Sequence, residues 1–265
     1  MSAPQIEGLG GGPGKPGMFD FTLSEIALIA FGLFLAGFVK GASGVGFATT
    51  AIPILTLGLG LENAIPMVLL PSIASNVFVM LDAGKFKETL YRFRHLYVAL
   101  LPGLIVGLTC LYYLDKPVAA AVLGGVIIVY GLYALWRADL EIPARYERPL
   151  ALPVGLTNGF VNGLTGSQIM PVVPYMLALR LPPNEVVQAT NIAFTISSLV
   201  MIVGLAWLGY LDWVRFLFST LGIVLVFAGV RIGTSARKLI SAETYRKIVL
   251  CFLVFLGICL IIPVL

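Results

Sequence analysis

Apolar stretches of roughly 14 to 24 residues, parted by short polar, glycine- or proline-bearing gaps, fill almost the whole chain. They lie at 21–39, 45–61, 63–81, 96–114 and 117–136, then at 150–163, 165–181, 186–208, 213–230 and 246–265. A membrane-crossing helix needs about 20 apolar residues. In lipid only helices and closed barrels satisfy every backbone group. The pattern therefore predicts an all-α polytopic membrane protein with about five helical segments in each half. End signals agree with these limits. Thr22-Leu23-Ser24-Glu25 reads as a capping box, Asp115-Lys116-Pro117 as a cap with an early proline, and Pro182-Pro183-Asn184 as a break before a new start.

The same chain reads as an internal duplication. Gly37-Phe38-Val39-Lys40-Gly41-Ala42-Ser43-Gly44 returns 122 residues later as Gly159-Phe160-Val161-Asn162-Gly163-Leu164-Thr165-Gly166. The register holds without a gap: Leu57 meets Leu179, Leu59 meets Leu181, Glu62-Asn63 meets Asn184-Glu185, and Ser75 meets Ser197. The division that follows is a flexible tail at 1–20, a first repeat at 21–137, a cytoplasmic linker at 138–149 and a second repeat at 150–265.

Composition narrows the class. With 59% hydrophobic and 11% charged residues, the chain has too little polar surface for a soluble globule. The net charge of +4 sits in short clusters between apolar runs, where membrane topology explains it without nucleic acid. Cys110, Cys251 and Cys259 fall in apolar stretches and read as small buried hydrophobes. A single histidine leaves no basis for a histidine-built metal site, and no cofactor is implied. The first twenty residues lack the basic start and apolar core of a signal peptide.

Lysine and arginine set the orientation. Lys85, Lys87, Arg92 and Arg94 follow the third segment; Arg137, Arg145 and Arg148 part the halves; Arg231, Arg237, Lys238, Arg246 and Lys247 precede the last segment. These mark the cytoplasmic side, and both termini come out external. With an odd number of crossings per half, the two repeats are inverted copies. The 150–163 run is short and carries Pro153, Gly155, Gly159 and Gly163. Two arrangements fit: five full spans per half, or three spans plus a re-entrant hairpin with the repeated motif at its tip. The hairpin fits better, because non-helical backbone at depth must line a cavity.

Candidate chemistry gathers at the repeated motif. Ser43 and Thr165 stand before new helical runs, each followed by glycine, as N-caps do. A helix start with free N–H groups attracts anions, and inverted repeats aim two such starts at one place. The candidate binding residues are Lys40, Ser43, Gly44, Val45, Gly46, Asn76, Asn162, Thr165, Gly166, Ser167, Gln168 and Asn191. Lys40 would be costly in lipid and so either snorkels to an interface or faces a polar cavity. Against this stands close packing, for which small-xxx-small spacing at Gly37, Gly41 and at Gly159, Gly163 is sufficient. Ser72, Ser75, Thr190, Thr195, Ser197 and Ser198 suit interhelical bonds; Asn76 and Asn191 are better site candidates, since a buried amide needs several partners. Pro53, Pro66, Pro71, Pro171 and Pro174 suit broken helices around a site. Asp82, Asp115, Asp139 and Asp212 fall at segment ends and read as interfacial, leaving no acidic relay deep in the membrane.

Gly41-Ala42-Ser43-Gly44 also matches the GxSG nucleophile motif of intramembrane serine proteases. That chemistry needs a histidine base within reach, and His95 lies beside Arg92 and Arg94 at a segment edge. The second copy has Thr165 and no histidine.

Gly44-Val45-Gly46 running into Pro53-Ile54-Leu55, with Gly166-Ser167-Gln168-Ile169-Met170-Pro171-Val172-Val173-Pro174-Tyr175-Met176-Leu177 and Val187-Gln188-Ala189-Thr190 in the second half, resembles the TauE/SafE family of sulfite and organosulfonate exporters. The likeness covers about 25–265. Where that family's first motif runs on in glycines, Phe47-Ala48-Thr49-Thr50 follows here. The resemblance implies a duplicated multi-pass permease of the bacterial inner membrane linked to sulfite, sulfonates and related sulfur or carboxylate anions; together with the inverted halves, it leads to the expectation of a secondary transporter, not an enzyme, that exports sulfite, sulfoacetate or another sulfonate by alternating access. An uptake permease for a carboxylate is the alternative. No GxxxxGK[ST] motif for direct ATP coupling occurs. A coupling ion, proton or sodium, and a homodimer are compatible partners beside the substrate anion and the bilayer.

Overall fold

A computed structural model describes residues 21–136, 140–236 and 242–264, without the side chains of 242–246 and 264. The expected tail at 1–20, Arg137, Asp139, Arg237, Lys238, the side chain of Arg246 and the terminal Leu265 lie outside the described residues.

Eleven helices make up the described fold: α1 Leu23–Ser43, α2 Phe47–Leu59, α3 Leu61–Ala83, α4 Phe86–Arg92, α5 Arg94–Tyr113, α6 Lys116–Trp136, α7 Ala144–Thr165, α8 Val172–Ala178, α9 Pro183–Trp207, α10 Trp213–Ala236 and α11 Ala242–Ile261. A 3-10 turn, Ile262–Val264, follows. No strand occurs among the described residues. Six helices, α1, α3, α5, α6, α9 and α10, are long and apolar enough to cross a membrane. The chain is an all-α polytopic membrane protein, as its pattern of apolar runs predicts.

The capping box forms at Thr22, whose Oγ1 accepts the Glu25 N–H while its own N–H donates to Glu25 Oε2 at 2.8 Å. Two differences from the expected limits shape the surroundings of the site. Helix α7 starts at Ala144 rather than 150, because the apolar run marks where side chains become lipid-compatible while the helical backbone extends more than a turn beyond it. Half of the expected 138–149 linker is therefore helix. The expected 165–181 segment shrinks to α8, as Gly166 is left-handed and Pro171 stands at the N-cap. Between them the chain is non-helical, and Asn158 Nδ2 holds it by donating to the carbonyls of Gln168 and Met170 at 3.0 and 2.8 Å.

Helices α1 and α2 form an antiparallel hairpin: a Cβ on Gly32 would meet Leu55, and one on Gly58 would meet Leu28. Every residue of α2 except Leu57 and Gly58 is buried. At about 1.5 Å per residue, α2 reaches about 20 Å and α8 about 10 Å, too short to cross lipid.

The strongest helix pairings are α5 with α7, α1 with α10, α6 with α11 and α3 with α9. A shift of 122 residues carries α1 onto α7 and α5 onto α10, so the α1–α10 pair repeats as α7–α5, while α3–α9 and α6–α11 map onto themselves. Each half thus completes its packing with a helix of the other. Glycines permit this contact. A Cβ built on Gly37 or Gly41 would lie 2.6 or 2.2 Å from the carbonyl oxygens of Val226 and Val230, and one on Gly103, Gly107, Gly155, Gly159 or Gly163 would collide likewise across α5–α7. Without a hydrophobic drive between helices in lipid, such backbone approach is what holds them.

Candidate functional site

Lys40 belongs to the last turn of α1, where the negative end of the helix dipole favours a cation. It is buried to 1% exposure. Its Nζ donates to Asn76 Oδ1 of α3 and, at 2.7 Å, to Asn191 Oδ1 of α9. No carboxylate among the described residues pairs with it. Asn191 is anchored in turn by donating to the Val187 carbonyl at 2.7 Å.

Beside Lys40 lies a small void lined by Gly46, Ser72, Asn76, Gln168, Phe194 and the first turn of α2 at Phe47, Ala48 and Thr49. Gly46 caps α2 without any side-chain bond, and Thr50 N is the first amide to find a helical acceptor, at 3.1 Å on Gly46 O. The N–H groups of the preceding turn are the orphan donors of a helix start. Ser72 Oγ and Asn76 Nδ2 are buried without partners. Unspent donors, one cation and no acid therefore converge here, an arrangement that suits an anion. Two pairs lining the void, Gly46 with Gln168 and Ser72 with Phe194, stand 122 residues apart, so both repeats build it. The void holds about 10 Å³, room for one water.

The other candidates separate into two groups. Ser43 and Val45 line an adjoining apolar cavity of about 430 Å³ that shares Gly46 with the void and extends along Val173 of α8 and Val187 of α9. Gly44 packs against Val187. The remaining residues, Asn162, Thr165, Gly166 and Ser167, form the second tip. Gly166 packs against Ile52 and Ile65, and neither amide atom of Asn162 nor Ser167 Oγ has a partner. Gln168 alone of that tip reaches the void, its Nε2 donating to Ser198 Oγ at 2.8 Å and Phe194 O at 3.3 Å.

The N-cap role expected of Ser43 and Thr165 is corrected. Each is the last residue of its helix, and each hydroxyl donates backward, to Val39 O at 2.8 Å and Val161 O at 2.6 Å, while accepting from the amide two residues on. A left-handed glycine after each helix, Gly44 or Gly166, makes the serine and threonine turn-closing groups. For Ser43 this also spends the nucleophile the protease motif would need, and His95 lines a separate surface pocket.

Sequence reading missed the polar ties at the helix starts. Arg215 is buried and donates to Asp212 at 2.5 Å and to Asn63 Oδ1 at 3.0 Å, and Lys116 pairs with Glu62 at 2.6 Å. Near the start of α9, Arg92 donates to Glu147 at 2.8 Å and Glu185 at 3.1 Å. Glu147 precedes the apolar run of α7, and its hydrogen bond with Arg92 lowers the carboxyl from its usual value. The signal was available: Glu62-Asn63 and Asn184-Glu185 are repeat mates.

These features, a polytopic helical bundle with a buried cation and a donor-lined void between its two halves, define a multi-pass membrane protein with an anion-suited interior. The family model of the sulfite exporter TauE/SafE matches residues 28–260, and the chain belongs to that family. It is also similar to the probable sulfite/organosulfonate exporter TauE of Cupriavidus necator, at 24% identity over 168 residues, 63% of this chain and 66% of that protein. The match thus spans just under two thirds of that relative's length. No solved structure matches the chain.

Proposed function

We propose that this protein is a secondary transporter exporting a small sulfur-containing anion, sulfite or an organosulfonate such as sulfoacetate, across the bacterial inner membrane. The carrying observation is Lys40, buried without a carboxylate beside a void ringed by unpaired donors. A buried charge of this kind is costly unless a counter-charge joins it, and a substrate oxyanion supplies one. Sulfur chemistry enters from the family and from the relative's name.

Alternating access between inverted halves is the mechanism this reading assigns. Its supports are the exchanged helix pairs and the direction of the central helices. Asn63 and Leu70 of α3 meet Arg215 and Ser219 of α10 in ascending order, as Arg92 and Tyr97 meet Glu185 and Ala189 of α9. Across the void the order reverses, with Ser72 near Phe194 and Asn76 sharing Lys40 with Asn191. The face bearing Lys85, Arg92, Arg94, Arg145 and Arg148 is taken as cytoplasmic. The apolar cavity beside Gly46 is the path from that face, and the α1–α2 and α7–α8 hairpins must part for an anion larger than water to enter.

Efflux of sulfite, sulfoacetate, taurine and simple carboxylates from proteoliposomes tests the reading, repeated with proton and sodium gradients collapsed. Sulfite or sulfonate efflux that survives Ser43→Ala is expected. Carboxylate transport alone would favour the uptake permease, and a protease activity abolished by Ser43→Ala would overturn transport as the function.

A further inference from the structure

On the basic face a pocket of about 440 Å³ opens between the starts of α5 and α7, lined by Arg92, Arg94, His95, Arg145, Glu147 and Arg148. Arg92 is committed to Glu147 and Glu185. Arg94 stacks on Tyr91, its guanidinium carbon 4.1 Å from the ring centre, and Arg145 on Tyr146 at 4.7 Å. Stacking fixes these planes while leaving their N–H forks unspent, and no carboxylate among the described residues forms an ion pair with Arg94, Arg145 or Arg148. The start of α7 beside the pocket carries no side-chain cap, so its dipole adds positive potential to it.

The charge of this pocket is not shared by the other half of the chain. The repeat mates of Arg92, Arg94, His95, Arg145 and Arg148 are Val214, Phe216, Leu217, Leu23 and Ile26. Topology alone requires positive charge on one face but not three unpaired arginines around one concavity. The apolar surface beyond it says where the pocket sits. Val98 and Ile105 of α5, and Leu152 and Leu156 of α7, are exposed on the same two helices, so the cations stand at the edge of the lipid-facing belt.

We infer that this pocket binds the phosphate of an anionic phospholipid, with the acyl chains lying along the exposed face of α5 and α7. Arginine forks match phosphate oxygens, and basic pockets between membrane helices select anionic headgroups.

Native mass spectrometry of the full chain in detergent, titrated with phosphatidylglycerol, phosphatidylcholine and inorganic phosphate, tests it. Phosphatidylglycerol should bind at concentrations at least about tenfold below phosphatidylcholine, and Arg94→Gln with Arg145→Gln should erase about a tenfold share of that preference. Arg231→Gln, on α10, should leave it unchanged. If the double variant does not fold, Arg148→Gln alone should give a smaller loss. Equal binding of the two lipids, an unaffected Arg94/Arg145 variant, or displacement of phosphatidylglycerol by an equal concentration of inorganic phosphate would overturn the inference, the last pointing to a soluble anion instead.

Discussion

Lys40→Met separates a substrate-binding lysine from a structural strut. In the parent, Nζ satisfies two amide oxygens, those of Asn76 and Asn191. Methionine leaves both unpaired in a buried site, at about 1 to 3 kcal/mol each. It also removes an ammonium whose burial costs several kcal/mol on its own. These terms oppose each other, so thermal stability in detergent should change little. Anion affinity should not escape so lightly. A lost charge-assisted contact is worth about 1.5 to 3 kcal/mol, a weakening of about 10- to 150-fold in Kd. Calorimetric titration with sulfite, run beside thermal unfolding in the same detergent, reads both quantities. Asn76→Asp completes the test, because a carboxylate next to Lys40 supplies the counter-charge from within. It should abolish anion binding while keeping or raising stability. A Lys40→Met protein that unfolds at the parent temperature and binds sulfite with parent affinity would refute the reasoning, as would one that unfolds many degrees lower.

Two further outcomes probe the frame around the site. A Cβ at Gly159 would lie 2.1 Å from the Leu100 carbonyl oxygen, while nothing lies within 4 Å of one at Gly125; Gly159→Ala should therefore cost about 1 to 3 kcal/mol of stability by overpacking, and Gly125→Ala almost nothing in the same unfolding assay. Asp212→Asn strands the buried Arg215 without a carboxylate, and removing one partner of such a pair costs about 3 to 5 kcal/mol. That should show as a large drop in thermal stability, which an unchanged melting curve would contradict.

Much of this protein is legible in one dimension. Apolar length marks the membrane helices, because lipid offers the backbone no alternative partner. The ungapped repeat marks the two halves, and the motif at Gly37–Gly44 marks the region where chain direction breaks. The capping box at Thr22 and the break before α9 were readable because caps act within a few residues. The sequence likewise singled out Lys40, Asn76 and Asn191, since polar groups in apolar runs are expensive wherever they end up. What it could not decide is which of them meet. The same eight-residue motif occurs twice, yet Lys40 at the first tip faces a donor-lined void while its mate Asn162 at the second has no side-chain partner. The difference arises because much of the void's wall comes from Ser72 and Asn76 of α3 and Phe194 of α9, more than twenty residues from either tip along the chain. The roles of Ser43 and Thr165 turned on a left-handed glycine, whose handedness the residue name does not carry. Only the tertiary structure put Arg215 beside Asn63, or four arginines of two distant segments around one pocket. Such pairings follow from helix exchange between the halves, and that exchange is set by backbone contact at glycines, a property of surfaces in space rather than of order along the chain.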